Sequence, residues 1–127
     1  MIIFPDIEPE LVELLSDYFE DVRVGTRKLP ADQQPESQIV VTVAYANEKT
    51  VSPVLRYAGV VLDIFASDYA TASGLALEAT AVLQTATGEN IKQVSIVSGP
   101  TRMGDDTGQE HRAVSAEVVV KATDLNP

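Results

Sequence analysis

Apolar residues recur along this chain with two different periods. Leu11, Leu14, Leu15, Tyr18 and Phe19 follow the i, i+3, i+4, i+7, i+8 spacing of one helical stripe, and Glu10, Glu13, Ser16, Asp17 and Glu20 fall mainly on the opposite side. Asp6 or Glu8 is placed to cap this helix, and Pro9 suits its first turn. A second stripe, made of Ala72, Leu75, Ala76, Ala79, Val82, Leu83 and Ala86, follows Asp68, a residue that favours the N-cap position. Its alanines favour helix and allow close approach to a sheet. Thr87-Gly88 provides the stop, with the glycine where a left-handed residue is wanted.

Elsewhere the period falls to two. Val22 to Arg27 reads as a short strand, Ile39 to Tyr45 as a second, Gly59 to Ser67 as a third and Ile91 to Ser98 as a fourth. In the last strand Val114, Ala116, Val118 and Val120 alternate with Ser115, Glu117, Val119 and Lys121. Leu29 to Ser37, with Pro30 and Pro35, carries loop chemistry. Asn47 to Thr50 reads as a turn, Gly99-Pro100 as a strand end, and the segment on to Gln109 as an exposed loop. The pattern predicts one α+β domain over residues 1–127, ordered α-β-β-β-α-β-β. It packs two helices on one face of an antiparallel or mixed sheet of four to five strands. Strands two and three, and strands four and five, are placed to form hairpins.

Two helices dry only one side of such a sheet. If Val60, Leu62, Ile64 and Ala66 face the helices, then Val61, Asp63, Phe65 and Ser67 face away, and Val119 joins Glu117 and Lys121 there. The second strand adds either Ile39, Val41 and Val43 or Val40, Thr42 and Ala44. Either set is largely apolar for a face left in water. Two readings stay open: long loops fold over this face or its valines are ordinary scattered surface residues, or another subunit covers it. In the second, Asp63 sits at a contact and wants a partner such as Lys121 or Arg23.

Composition narrows the chemistry. The net charge of −10, from 19 acidic and 9 basic residues, makes a poor grip for nucleic-acid phosphates and keeps the protein soluble. The absence of cysteine and the single histidine, His111, leave no disulfide and no His/Cys zinc site. Met1 to Phe4 is too short for a signal peptide, and no stretch approaches a membrane span. The product is expected to stay where it is made. His111 has no Gly-x-Ser-x-Gly elbow to serve, so a hydrolase reading ranks last. Asp105 to Glu110 departs from the calcium-loop spacing, and the glycines at 88 and 99 lack the phosphate-loop frame. No catalytic, cofactor or metal residue is expected. Arg23, Arg27 and Lys28 form a small basic group that either protects a strand edge or pairs across subunits.

Three stretches together resemble one family. They are the helix Pro9 to Leu15 leading into Val22-Arg23-Val24-Gly25-Thr26, the run Ala58 to Asp68 before an alanine-rich helix, and Ser98 to Asp106 with Arg112 and the valine-rich last strand. Nearly the whole chain is similar to the tail terminator and tail-completion proteins of long-tailed bacteriophages. The resemblance implies a non-enzymatic virion protein without cofactor, assembled in the bacterial cytoplasm as a ring, usually a hexamer, on the head-proximal end of the tail tube. Such a ring ends tube polymerisation and offers a joining surface to the neck. Its implied partners are further copies of itself, the major tail tube protein and a neck or head-closure protein. DNA passes through the bore without specific binding, and no membrane is involved. On this reading Arg23, Arg27, Asp63, Phe65 and Val119 are candidates for subunit contact. Pro30, Gln33, Gln34, Arg102, Asp105 and Asp106, in the Leu29–Ser37 and Gly99–Gln109 loops, are candidates for tube or neck contact. The alternatives are another neck component, such as a head-closure or connector protein, and a small ligand-binding α+β domain.

Overall fold

A computed structural model describes residues 2–29, 36–52, 54–104 and 108–124. Strand β1 (Ile2–Ile3) leads to helix α1 (Glu8–Tyr18), whose stripe buries Leu11 and Leu15. The N-cap position falls to Ile7, which is buried and offers no capping side chain. Asp6 acts instead from one residue before the cap, its Oδ1 accepting from Glu8 N at 3.0 Å. The proline lies in the first turn as expected.

Helix α2 (Tyr69–Gln84) begins as the sequence predicts: Asp68 accepts from Thr71 N at 2.8 Å and from its hydroxyl at 2.9 Å. Those bonds hold the Asp68 carboxyl below its ordinary range, the Thr71 amide contributing most. The helix ends differently from expectation. Gly88 has no positive φ, and Thr85 and Ala86 close the last turn through Ala81 and Leu83 carbonyls. A Cβ at Gly88 would collide with the Glu10 side chain, so the glycine makes room for it. Glu10 accepts from Asn90 N at 3.3 Å and Nδ2 at 3.2 Å. It therefore ties α1 to the turn after α2 rather than only wetting the helix.

The remaining strands are β2 (Arg23–Gly25), β3 (Ser37–Ser52), β4 (Leu55–Ala66), β5 (Ile91–Met103), β6 (Glu110–Lys121) and β7 (Thr123–Asp124). A five-stranded mixed sheet has the order β2-β3-β4-β6-β5. Only β2 and β3 run parallel, and β1 pairs separately with β7. The two expected hairpins, β3-β4 and β5-β6, are present. Helix α1 covers β2 and β3, while α2 covers β4, β5 and β6, so both lie on one face. The architecture is α+β, as the alternating pattern requires.

Three strand boundaries depart from the sequence reading. Asn47 to Thr50, expected as a turn, belongs to β3, which pairs through a register shift as far as Ser52. Strand β5 continues through Gly99-Pro100 to Met103, because irregularities between Ile96 and Thr101 absorb extra residues. Proline, with no N–H to give, is tolerated there because β5 is a sheet edge. Strand β4 starts at Leu55, ahead of the expected Gly59. One core fills the helix-facing side: Ile39 and Val41, Val60, Leu62 and Ile64, and Val114, Val118 and Val120 are all at most 1 % exposed. Each such side chain contributes about 1.5–3 kcal/mol of burial free energy.

Candidate assembly surface

Strand alternation sends Val40, Thr42 and Ala44, then Gly59, Val61, Asp63 and Phe65, then His111, Ser115, Glu117 and Val119, to the side without helices. Burial of Ile39 and Val41 decides between the two β3 sets and places Val40, Thr42 and Ala44 outward.

One end of this face covers itself. The Phe65 ring stacks on His111 with centroids 4.3 Å apart, and Lys28 Nζ lies 4.3 Å from the Phe65 centroid. His111 Nε2 is 2.8 Å from Asp63 Oδ1. Gln38, opposite Phe65, accepts from Leu29 N and Arg23 Nη1, both at 3.3 Å. Arg23 Nη1 also donates to the carbonyl of Arg27. The segment after β2 thus folds over this end, leaving Phe65 and Val40 each 7 % exposed.

The middle of the face has no such cover among the described residues. Thr42, Ala44, Gly59, Val61, Val97 and Ser115 line a shallow depression of about 280 Å³. Glu117 borders it as well; the other lining residues are small or β-branched, and Val97, at an irregularity of β5, is 67 % exposed. Gly59 is informative. Its φ is not positive, and a Cβ there would touch only Ala44 O at an ordinary 3.6 Å. Among the described residues nothing in the packing requires glycine here, which costs about 0.5–1 kcal/mol relative to alanine inside a strand. A strand glycine without a turn or bulge of its own fits a place where another backbone or ligand comes close.

The candidate contact residues are only partly brought together. Arg23, Asp63 and Phe65 lie around the covered end, with Arg27 exposed beside them. Val119 lies opposite Tyr57, six residues along β4 from Asp63 or roughly 20 Å away. Asp63 pairs with neither Lys121 nor Arg23. Lys121 sits opposite Leu55, eight residues or roughly 26 Å distant, and Arg23 is engaged with Gln38 and Arg27. His111 takes the place expected for those cations. Pro30, Gln33, Gln34, Asp105 and Asp106 lie outside the described residues.

Arg102, expected in a loop, is on β5 opposite Arg112. Glu110 grips both guanidiniums: Arg102 Nε and Nη2 donate to it at 3.1 Å each, and Arg112 Nη1 at 3.1 Å. Arg112 is 4 % exposed and donates also to the His111 carbonyl and the Ser73 hydroxyl. Both guanidiniums lie near the Tyr69 ring, at 5.1 Å for Arg102 and 4.8 Å for Arg112. The bonds to Arg102, then Arg112, hold the Glu110 carboxyl below its ordinary range; Glu110 in turn raises Arg102. The sequence hinted at this group only through Glu110 and Arg112 standing two apart on a strand; the register with β5 and the position of α2 complete it.

Among the described residues no group of three or more His, Cys, Asp and Glu side chains could hold a metal ion. No described helix is long and apolar enough to cross a membrane. In comparisons with known proteins, no family model matches the chain and no curated protein matches it.

Proposed function

We propose that this chain is a structural assembly protein of the phage tail terminator kind. It forms a ring, hexameric on the resemblance, at the head-proximal end of a tail tube. One observation carries the reading: the middle of the helix-free sheet face is largely apolar, bordered by Glu117, and centred on Gly59, which the packing of the described residues does not require. A second copy laid against it supplies the missing cover. The element order and the resemblance in the Ala58–Asp68 and Ser98–Asp106 stretches agree with this reading, as does an acidic chain around a bore that must let DNA slide. The partners are then further copies, the tail tube protein and a neck protein, and the place of action is the virion tail.

The test is tube polymerisation in the presence of the purified chain, with tube lengths and end occupancy read by electron microscopy. Tubes capped at one end and no longer growing support the proposal. Tubes that lengthen as they do without the chain, with bare ends, overturn it.

A further inference from the structure

Helix α2 lacks the wet side that a surface helix ordinarily has. Its one charged residue is Glu78, whereas the shorter α1 carries Glu8, Glu10, Glu13 and Asp17. On the inward side Ala72, Ala76 and Ala79 are buried against the rest of the fold. The outward crest consists of Ala70, Gly74, Leu77 and Ala81, at i, i+4, i+7 and i+11, and is exposed along its length. Three of these residues are small, and Leu77 rises among them, 65 % exposed. A Cβ on Gly74 would meet nothing within 4 Å, so the crest is open beside that leucine. Glu78 stands off to one side, in the cleft between α2 and the end of α1. A helix that is apolar on both sides is suited to burial on both sides.

We propose that the α2 crest of one copy packs on the helix-free sheet face of the next, with Leu77 seated in the depression beside Gly59. This rests on the ring reading above and names the element that supplies the cover. A second copy is the occupant because one chain presents both unmatched halves. One half is a convex apolar crest with a single projecting leucine; the other is a shallow concavity of about 280 Å³ whose lining includes Ala44, Gly59 and Val61. The chain already uses this kind of contact internally, where the alanine side of α2 packs over β4, β5 and β6. The missing Cβ at Gly59 lets a helix approach the sheet closely. Charge does not oppose the fit: Glu117 is the one charged residue bordering the depression, and Glu78 lies off the crest, so the centre of the contact is uncharged. Crest and face are different surfaces, so the contact is head-to-tail, the type that generates a closed ring when its rotation closes.

Crosslinking between copies tests it, because the chain has no cysteine of its own. Ala81→Cys, one turn from Leu77 on the crest, and Ser115→Cys, in the depression, are made as separate variants and treated with a short bis-maleimide, alone and on tail tubes. The mixture of the two variants should give crosslinked dimers on assembly, and neither variant by itself should, because crest meets face and never crest. Leu77→Glu, at an exposed position, should keep the thermal melt of the wild type and weaken assembly by roughly tenfold or more, read by light scattering. If wild type assembles but the mixture gives no crosslink, a single variant crosslinks to itself, or Leu77→Glu assembles equally well, another element covers the face and the ring reading survives alone. If wild type assembles neither alone nor on tubes, both fall.

Discussion

His111 Nε2 stands 2.8 Å from Asp63 Oδ1, across the β4-β6 pairing, while the His111 ring stacks on Phe65. The three side chains close one end of a sheet face that has no helix over it. His111→Ala removes a hydrogen bond and a ring stack together and should cost roughly 1–2 kcal/mol of unfolding free energy. Urea denaturation measures this directly; an unchanged midpoint and slope would show the cluster to be ornamental to stability.

Two strand glycines should respond in opposite ways to the same substitution. Gly99 has φ +96°, and a Cβ there would run into the Ala113 carbonyl. Gly99→Ala should therefore destabilise by about 1–2 kcal/mol from backbone conformation alone, and by more from the collision. Gly59 has neither constraint, so Gly59→Ala should leave the isolated chain as stable or up to about 1 kcal/mol more stable. Thermal melts of both variants decide the comparison, and a strongly destabilised Gly59→Ala would remove the reason for seeing that glycine as an assembly feature.

The Glu110 carboxyl, held down by Arg102 and then Arg112, links stability to pH. A depressed folded-state pKa means that the unfolded chain binds the proton more readily. The contribution is therefore complete above the ordinary carboxyl value of 4.5 and is lost as pH falls through the depressed folded value. Glu110→Gln should be less stable than wild type near neutral pH, and the gap should narrow in acid. Denaturation midpoints across that range provide the check; a gap that widens in acid contradicts the assignment.

The amphipathic stripes and the strand alternation made both helices, both hairpins and the core face legible, because periods of 3.6 and two are local properties of the chain. Which residues point away from the helices was legible for the same reason once Val60, Leu62 and Ile64 were assigned inward. Register was not. Whether Asp63 meets His111 or Lys121 depends on which residues of β4 and β6 align, and no local pattern states that alignment. Strand ends were hidden likewise: Gly99-Pro100 looks like a terminator, yet an edge strand can absorb it as an irregularity. The Arg102–Glu110–Arg112 group needed three elements, β5, β6 and α2, to converge.

The central claim is that another copy covers the middle of the helix-free face. The chain has no cysteine, so Ser115→Cys places a single thiol in the depression beside Gly59 and Val61. Maleimide labelling of this thiol, compared between the free chain and the chain capping tail tubes, reads that cover directly. Strong protection on assembly, with a Glu89→Cys reference outside the face still labelled freely, is the result expected. Equal labelling of Ser115→Cys in the free and assembled states would contradict the account.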